Sequence, residues 1–171
     1  NKQGESSANV AHDDSSDDAL VVIAGCAETN DEWVLDTACT FHMCPHRDWF
    51  NTFDSTTSAG SVLGFDNSPC KIEGIGSIRI KMFDGIIRTL ADVRYISKMK
   101  RNLISMSALD AKGYKYSGGD SVLKVTKGSL VVMKGDLSST NGLYYLRGST
   151  VSGNATPVIS KNSDCDAANL W

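Results

Sequence analysis

Residues 33–38, with the sequence WVLDTA, decide how the fold of this chain is interpreted. The first three are apolar and predict a short buried strand that ends at Asp36. A strand holds a carboxylate rigidly, and a small residue such as Ala38 lets the backbone turn sharply and donate N–H groups to that carboxylate. The hydroxyl of Thr37 can tie two such turns together. The stretch therefore predicts a carboxylate site at a turn that follows a buried strand.

A carboxylate in this layout suits aspartic-protease chemistry, which needs two carboxylates sharing one proton. The chain offers one good copy. Asp54 follows a segment that does not read as a buried strand, and Asp120 follows Gly118-Gly119, which reads as a loop. The second carboxylate must then come from another chain, which predicts a homodimer with the site on its two-fold axis. The alternative is that Asp36 only caps a turn, since Asp followed by Thr is common in turns.

The remaining sequence predicts a mostly β fold. Apolar residues alternate up to Met82, Asp84-Gly85 is a strong hairpin signal, and a return strand runs to Tyr95. Further strands are predicted at residues 121–126, 129–133 and 143–146, with a turn at Lys127-Gly128.

One helix is predicted over Asn102–Gly113, with Asn102 as its N-cap and Gly113 as its C-terminal stop. Many short strands, close turns and a single short helix together indicate a small closed or partly open barrel.

Charge and composition divide the 171 residues into three parts. Residues 1–32 hold eight acids and one lysine, and are interpreted as an acidic disordered linker. Residues 33–148 are assigned to the β-barrel domain, and residues 149–171 to a polar linker. The positive charge of the body is scattered, which argues against direct nucleic-acid binding. The longest apolar run, Ala19–Ala24, is far shorter than the roughly 18 residues that span a membrane.

The cysteines suggest a reducing compartment and raise a metal-binding alternative. Their number, five, is odd, their spacing is irregular, and the chain opens on polar residues. Cys39, His42, Cys44 and His46 lie within eight residues, and thiolates and imidazoles are good zinc ligands. Structural zinc sites usually draw ligands from two separate loops, so the preferred interpretation is a buried thiol and a structural histidine. No cofactor is expected.

Several separated motifs resemble one family in the same order. These are WVLDTACTFHMCPHRDWF at residues 33–50, GIGSIRIKMFDGIIRTLADVRYI at 74–96, KRNLISMSALDAKGY at 100–114 and NGLYYLRGST at 141–150. They resemble the protease region of copia-type (Ty1/copia, tobacco Tnt-like) LTR retrotransposon Gag-Pol polyproteins. The final segment, residues 164–171, resembles the lead-in to the pre-integrase segment of these polyproteins.

This resemblance implies a retropepsin-like fold and an aspartic endopeptidase that processes its own Gag-Pol polyprotein as a homodimer. Asp36 would be the catalytic carboxylate, supported by the turn at Thr37 and Ala38. The loop at residues 64–70 would be the flap that covers the peptide substrate, with an ordinary surface turn as the alternative. Its candidate binding residues are Gly64, Phe65, Asp66 and Asn67. The expected location is the cytoplasm, within virus-like particles, with no membrane partner.

Two departures from the resemblance keep a second function open. Ala38 stands where aspartic proteases favour glycine, and a Cβ there would crowd a turn that needs positive φ. Ser105 follows two apolar residues where retroviral proteases have glycine before their last helix. The alternative function is therefore a catalytically inactive β-barrel module that serves as a spacer or assembly element in the polyprotein. A small zinc-binding domain is the third hypothesis.

Overall fold

The computed structural model describes residues 31–55, 60–64, 67–153 and 156–157. Residues 1–30 of the predicted acidic linker and the predicted pre-integrase lead-in lie outside the described residues, as do Phe65 and Asp66 of the predicted flap. Among the described helices, none combines the length and apolar character that crossing a membrane requires.

The described residues are mostly β, with one short α-helix, as the sequence predicts. The helix α1 spans Met106–Ala111, and a 3₁₀ helix spans Arg47–Trp49. The strands are β1 (Trp33–Asp36), β2 (Met43–Cys44), β3 (Phe50–Asp54), β4 (Ser61–Leu63), β5 (Pro69–Lys71), β6 (Gly74–Met82), β7 (Ile87–Tyr95), β8 (Asn102–Ser105), β9 (Lys115–Gly119), β10 (Val122–Lys127), β11 (Leu130–Leu137), β12 (Tyr144–Leu146), β13 (Gly148–Val151) and β14 (Thr156–Pro157).

Twelve of these strands form one sheet, in the order β14-β3-β6-β7-β2-β8-β1-β12-β11-β10-β9, with β13 paired to β6 beside this path. The path ends at β14 and β9, so the described strands do not establish a closed barrel. β13 follows β12 after Arg147 and pairs with β6, which brings the chain back to the other half of the sheet. Residues 149–151, assigned to a linker from the sequence, therefore continue the sheet.

The predicted hairpin at Asp84-Gly85 is confirmed. It joins β6 and β7, which pair antiparallel, and Gly85 adopts a φ of 78°. The register of β6 shifts between Gly76 and Ile78, where β3 passes close on the other side. A Cβ at Gly76 would lie 2.0 Å from the carbonyl oxygen of Thr52, so only glycine permits this approach.

The apolar side chains form two hydrophobic clusters. The larger cluster lies among β1, β3, β6, β7, β8, α1, β10 and β11, and includes Trp33, Phe50, Ile78 and Ile104. The smaller cluster takes residues from β1, the turn after it, β5 and β8. Its fully buried members are Val34, Cys39, Met43, Cys70, Ile72, Ile96, Met99 and Leu103. β1 thus has a buried face on each side, which explains why its sequence is apolar throughout.

The predicted helix over Asn102–Gly113 is wrong in its first turn. Residues 102–105 form β8, which pairs in parallel with β1, and the helix begins only at Met106. Ser105 is the N-cap, and its Oγ accepts a hydrogen bond from the Ala108 N–H at 3.1 Å. The stop is confirmed, since Gly113 follows the C-cap Lys112 and has a φ of +81°.

The pair Gly118-Gly119, interpreted as a loop, is also corrected. Both glycines belong to β9, which pairs antiparallel with β10. The turn lies one step later, at Asp120 and Ser121, whose φ angles are 51° and 62°. Two consecutive residues with positive φ form the tight turn that suits the twist of a hairpin.

Candidate functional site

Asp36 lies at the end of β1, between two neighbouring strands. β8 runs parallel to β1, with Asp36 opposite Ser105, and β12 runs antiparallel on the other side. The carboxylate-bearing residue is buried, whereas Thr37 and Ala38 of the following turn are exposed. The Ala38 N–H donates to Asp36 Oδ1 at 2.8 Å. The carboxylate is thus fixed by its own turn, which itself faces solvent.

The backbone at Ala38 removes the concern that its side chain crowds the turn. In the described part of the chain, the non-glycine residues with positive φ are Asn67, Asp92, Asp120 and Ser121, and Ala38 is not among them. An L-residue therefore fits this position without left-handed strain. The departure from glycine is compatible with the geometry that holds Asp36.

The serine at position 105 ties the turn after Asp36 to the start of α1. Ser105 Oγ donates to the carbonyl oxygen of Cys39 at 2.6 Å, and Ser107 Oγ donates to the same oxygen at 3.1 Å. Ser105 Oγ also accepts from the Ala108 N–H, so one hydroxyl caps the helix and holds the turn. This second departure from the family pattern thus carries out a structural task that glycine has no side chain to perform.

His42 makes a further tie between the turn and β8. Its Nδ1 accepts a hydrogen bond from the Ser105 N–H at 3.0 Å, and its carbonyl oxygen accepts from the Arg94 N–H at 2.8 Å. Burial, together with the nearby positive charge of Lys112, lowers the pKa of His42 to about 3. The imidazole is therefore neutral at ordinary pH, with its proton on Nε2.

The four Cys and His residues of the metal-binding alternative do not come together. Cys39 Sγ donates to the Asp36 carbonyl oxygen at 3.7 Å, and Cys44 Sγ to Asn102 Oδ1 at 3.3 Å. His46 instead stacks on Trp49, with ring centroids 4.2 Å apart. Within the described residues, no group of three or more His, Cys, Asp or Glu side chains is placed to hold a metal ion.

Both buried thiols near the site are protonated. Burial, together with the charge of Asp36, raises the pKa of Cys39 to about 12. Burial likewise raises the pKa of Cys44 to about 12. Because the thiolate is the nucleophile and the metal ligand, these cysteines behave as small apolar core residues.

The predicted flap loop belongs to a hairpin outside the large sheet. β4 and β5 form their own two-stranded sheet. At its tip, the Gly64 N–H donates to the Ser68 carbonyl oxygen at 2.7 Å, and the Asn67 N–H donates to the Gly64 carbonyl oxygen at 3.0 Å. Asn67 has a φ of 59°, a conformation that asparagine tolerates better than most residues. Val62 and Cys70, which pair in the middle of the hairpin, pack in the smaller hydrophobic cluster.

The sequence predicted the turn after Asp36 and a structural histidine at His42, but not the hydrogen bonds that hold this turn in place. These bonds join Ser105 to His42, and Ser105 and Ser107 to Cys39, and each pair is more than sixty positions apart in the sequence. A usable signal was present for Ser105, because serine before Met106-Ser107-Ala108 is a favourable N-cap. No local signal indicates the bond between His42 and Ser105.

Residues 33–114, from β1 to just past α1, match the family described as Pol polyprotein, beta-barrel domain. The match includes Asp36, the β4–β5 hairpin and the β8–α1 junction. The buried carboxylate turn thus lies within the matched residues, whereas β9–β14 lie outside them.

The curated relatives are retrotransposon proteins. The chain is 42% identical over 104 residues to the retrovirus-related Pol polyprotein from transposon TNT 1-94 of Nicotiana tabacum, which covers 61% of this chain and 8% of that protein. It is 36% identical over 80 residues to the putative transposon Ty5-1 protein of Saccharomyces cerevisiae, which covers 47% of this chain and 51% of that protein. No solved structure matches the chain. The chain is thus similar to parts of these two transposon proteins, and it spans 8% and about half of their respective lengths.

Proposed function

We propose that this domain is a retropepsin-like aspartic endopeptidase that acts as a homodimer, with Asp36 of each copy forming one shared site. The observation that carries the proposal is the buried carboxylate of Asp36, which accepts the Ala38 N–H and is followed by an exposed turn. A buried carboxylate at an exposed turn can meet its symmetric equivalent when two copies associate through that turn.

The strand arrangement supports the retropepsin-like assignment. Retroviral proteases carry two apolar residues and a glycine before their last helix, and here Ser105 takes the place of the glycine. Leu103 and Ile104 hold this position in β8, and β8 is the strand that pairs in parallel with β1. The catalytic strand and the pre-helix strand are therefore neighbours, and Asp36 lies opposite Ser105 at the point where α1 begins.

In the proposed reaction, the two Asp36 carboxylates share one proton and titrate as a pair. The ionised carboxylate takes a proton from water as the water attacks the peptide carbonyl carbon. The protonated carboxyl donates a hydrogen bond to the carbonyl oxygen, and a proton passes to the leaving amine as the C–N bond breaks. An attack by water forms no bond between enzyme and substrate.

The substrate in this proposal is an extended peptide of the polyprotein itself. The β4–β5 hairpin is the candidate flap, because it is separate from the large sheet and the loop at residues 64–68 lies beyond the packed pair Val62 and Cys70. Extended peptides bind by strand-like backbone pairing, and a hairpin edge supplies the backbone groups for it. The described cysteines Cys39, Cys44 and Cys70 are unpaired, which supports a reducing location such as cytoplasmic virus-like particles.

The test is cleavage of a polyprotein segment that contains this domain, wild type beside Asp36→Asn. Asp110→Asn is the matched control, since Asp110 is an exposed carboxylate on α1. We expect cleavage by the wild type and by Asp110→Asn, and a loss of at least about a hundredfold in Asp36→Asn, because asparagine cannot share the catalytic proton.

A folded, dimeric wild type that leaves the segment intact at both mildly acidic and neutral pH would contradict the proposal. The alternative function, an inactive β-barrel module that acts as spacer or assembly element, would then be favoured. Sedimentation of the same samples establishes whether the protein is dimeric under the assay conditions.

A further inference from the structure

The turn between Asp36 and β2 is attached to the β8–α1 junction at two separate points. The first is the Cys39 carbonyl oxygen, which accepts from Ser105 Oγ and Ser107 Oγ. The second is His42 Nδ1, which accepts from the Ser105 N–H. Both attachments involve Ser105, which pairs with Asp36 across the parallel strands. Ser105 therefore connects the turn after Asp36 to β8 and α1.

The bond to His42 replaces a missing backbone partner. β2 is two residues long and pairs with β8 at Met43 and Leu103. Ser105 lies two residues further along β8 and is fully buried, so its N–H needs an acceptor in the interior. The imidazole of His42 supplies this acceptor, which extends the attachment between β2 and β8 as far as the start of α1.

The imidazole serves as a neutral acceptor and not as a charge. It is buried, and the charged groups that face it are Asp92 and Arg94 from β7 and Lys112 from the end of α1. Asp92 is itself paired with Lys112 at 3.0 Å. Among the described residues, no hydrogen-bond partner reaches His42 Nε2, so the ring is held by Nδ1 alone. Leaving the Nε2–H unpaired is unfavourable. The favourable contributions of His42 to the fold are therefore the Nδ1 hydrogen bond and the packing of its ring.

We propose that His42 is a positioning residue for catalysis: its Nδ1, by binding the Ser105 N–H, fixes the turn that carries Asp36 against the β8–α1 junction. This inference rests on the proposed function and names no new contact with substrate. A shared site requires two Asp36 carboxylates to approach closely on the dimer axis, and a misplacement of about 1 Å can lower a rate by about a hundredfold. The tie therefore acts on the rate of the chemical step and not on peptide affinity.

The test compares two amide replacements in the full chain. The side-chain oxygen of His42→Asn reaches about the position of Nδ1 and can accept from the Ser105 N–H, whereas the amide of His42→Gln reaches about the position of Nε2. We expect His42→Asn to keep kcat within about threefold of the wild type, and His42→Gln to lose about tenfold or more in kcat with KM within about twofold. Rates are normalised to the folded fraction.

A merely structural histidine gives a different result: both variants lose stability, and their normalised kcat values equal that of the wild type. That outcome overturns the positioning role and leaves the proposed function in place. If the wild type itself cleaves nothing, the proposed function fails, and the positioning role fails with it.

A second measurement tests the tie without cleavage. Nitrogen-15 NMR of the full-length wild type reports which imidazole nitrogen carries the proton and how fast the Ser105 amide exchanges with solvent. We expect that Nδ1 of His42 carries no proton and that the Ser105 amide exchanges as slowly as the amides of the central strands. A protonated Nδ1, or rapid exchange at Ser105, would overturn the inference whatever the activity of the protein.

Discussion

The turn after Asp36 and the β4–β5 hairpin are held by opposite means. The turn is short and follows a buried strand. It is attached to β8 and α1 because the hydroxyls of Ser105 and Ser107 donate to the Cys39 carbonyl oxygen and the Ser105 N–H donates to His42. The hairpin forms a separate two-stranded sheet, and its central pair, Val62 and Cys70, packs in the smaller hydrophobic cluster.

This difference shows how one small domain can combine a fixed group with a movable one. Buried, directional hydrogen bonds specify a single geometry, which suits a carboxylate that must meet its symmetric equivalent. A two-stranded hairpin is only marginally stable by itself, so the loop beyond Val62 and Cys70 can move at modest cost while that pair stays packed. Substitutions in one region at a time therefore test this difference.

The largest effect concerns acid stability and acts through the attached turn. The folded pKa of His42 is about 3, below its ordinary value of 6.5, so between these values the unfolded chain binds a proton that the folded chain does not. Stability is therefore highest above about pH 6.5 and falls as the pH is lowered, by about 1.4 kcal/mol per pH unit from this residue alone. Urea unfolding of wild type and His42→Asn between pH 7 and about pH 4 measures it. A wild type and variant with the same slope would show that His42 is not buried neutral.

The next effect separates the two serines that hold the turn. Ser105→Ala removes the N-cap and one donor to the Cys39 carbonyl oxygen, so we expect a loss of about 1.5–3 kcal/mol in the free energy of unfolding. Ser107→Ala removes the longer of the two bonds and the 3.0 Å contact between the two hydroxyls, and should cost less than about 1 kcal/mol because Ser107 is exposed. Urea denaturation at neutral pH gives both values. Equal losses would mean that Ser105 has no special role at the junction.

A substitution in the β4–β5 hairpin should affect substrate binding more than the global stability of the domain. Val62→Ala weakens the apolar contact between the hairpin and the smaller hydrophobic cluster, and we expect a several-fold rise in KM with a loss of about 0.5–1.5 kcal/mol in stability. Leu130→Ala is the matched control, because Leu130 is an exposed residue at the start of β11. Peptide kinetics together with urea unfolding tests this. An unchanged KM would argue that the hairpin is an ordinary surface turn and not a flap.

The smallest effect is expected at Ala38. Because the backbone there is not in the positive-φ region, Ala38→Gly should leave the cleavage rate within about twofold and cost about 0.5–1 kcal/mol of stability through the greater freedom of the unfolded chain. Ala111→Gly, at the exposed end of α1, controls for the same substitution away from the site. A large gain in rate in Ala38→Gly alone would show that the alanine side chain does hinder the turn.

Local signals in the sequence predicted the elements that depend on local structure. The strand that ends at Asp36, the turn at Asp84-Gly85 and the turn at Lys127-Gly128 all appear where the pattern placed them. Each is specified by apolar alternation and by residues with unusual backbone freedom, both of which can be read within ten residues.

Pairing between distant segments could not be predicted in the same way. Residues 102–105 have the apolar spacing of a helix, and become a strand because β1 and β2 provide edges on both sides. The acceptor role of His42 depends on a bond to a residue 63 positions away. The roles of Asp36 as catalyst and of the hairpin as flap stay predictions, since they depend on a second chain and a substrate.

The most direct test of a shared site is a mixing experiment at fixed total protein. Wild type and Asp36→Asn are exchanged into random dimers at increasing variant fraction, and the cleavage rate is measured. If each site needs Asp36 from both chains, an equal mixture retains about one quarter of the wild-type rate, because only dimers of two wild-type chains are active. A rate that falls in proportion, to about one half, would mean that each chain has a complete site, and would contradict the account.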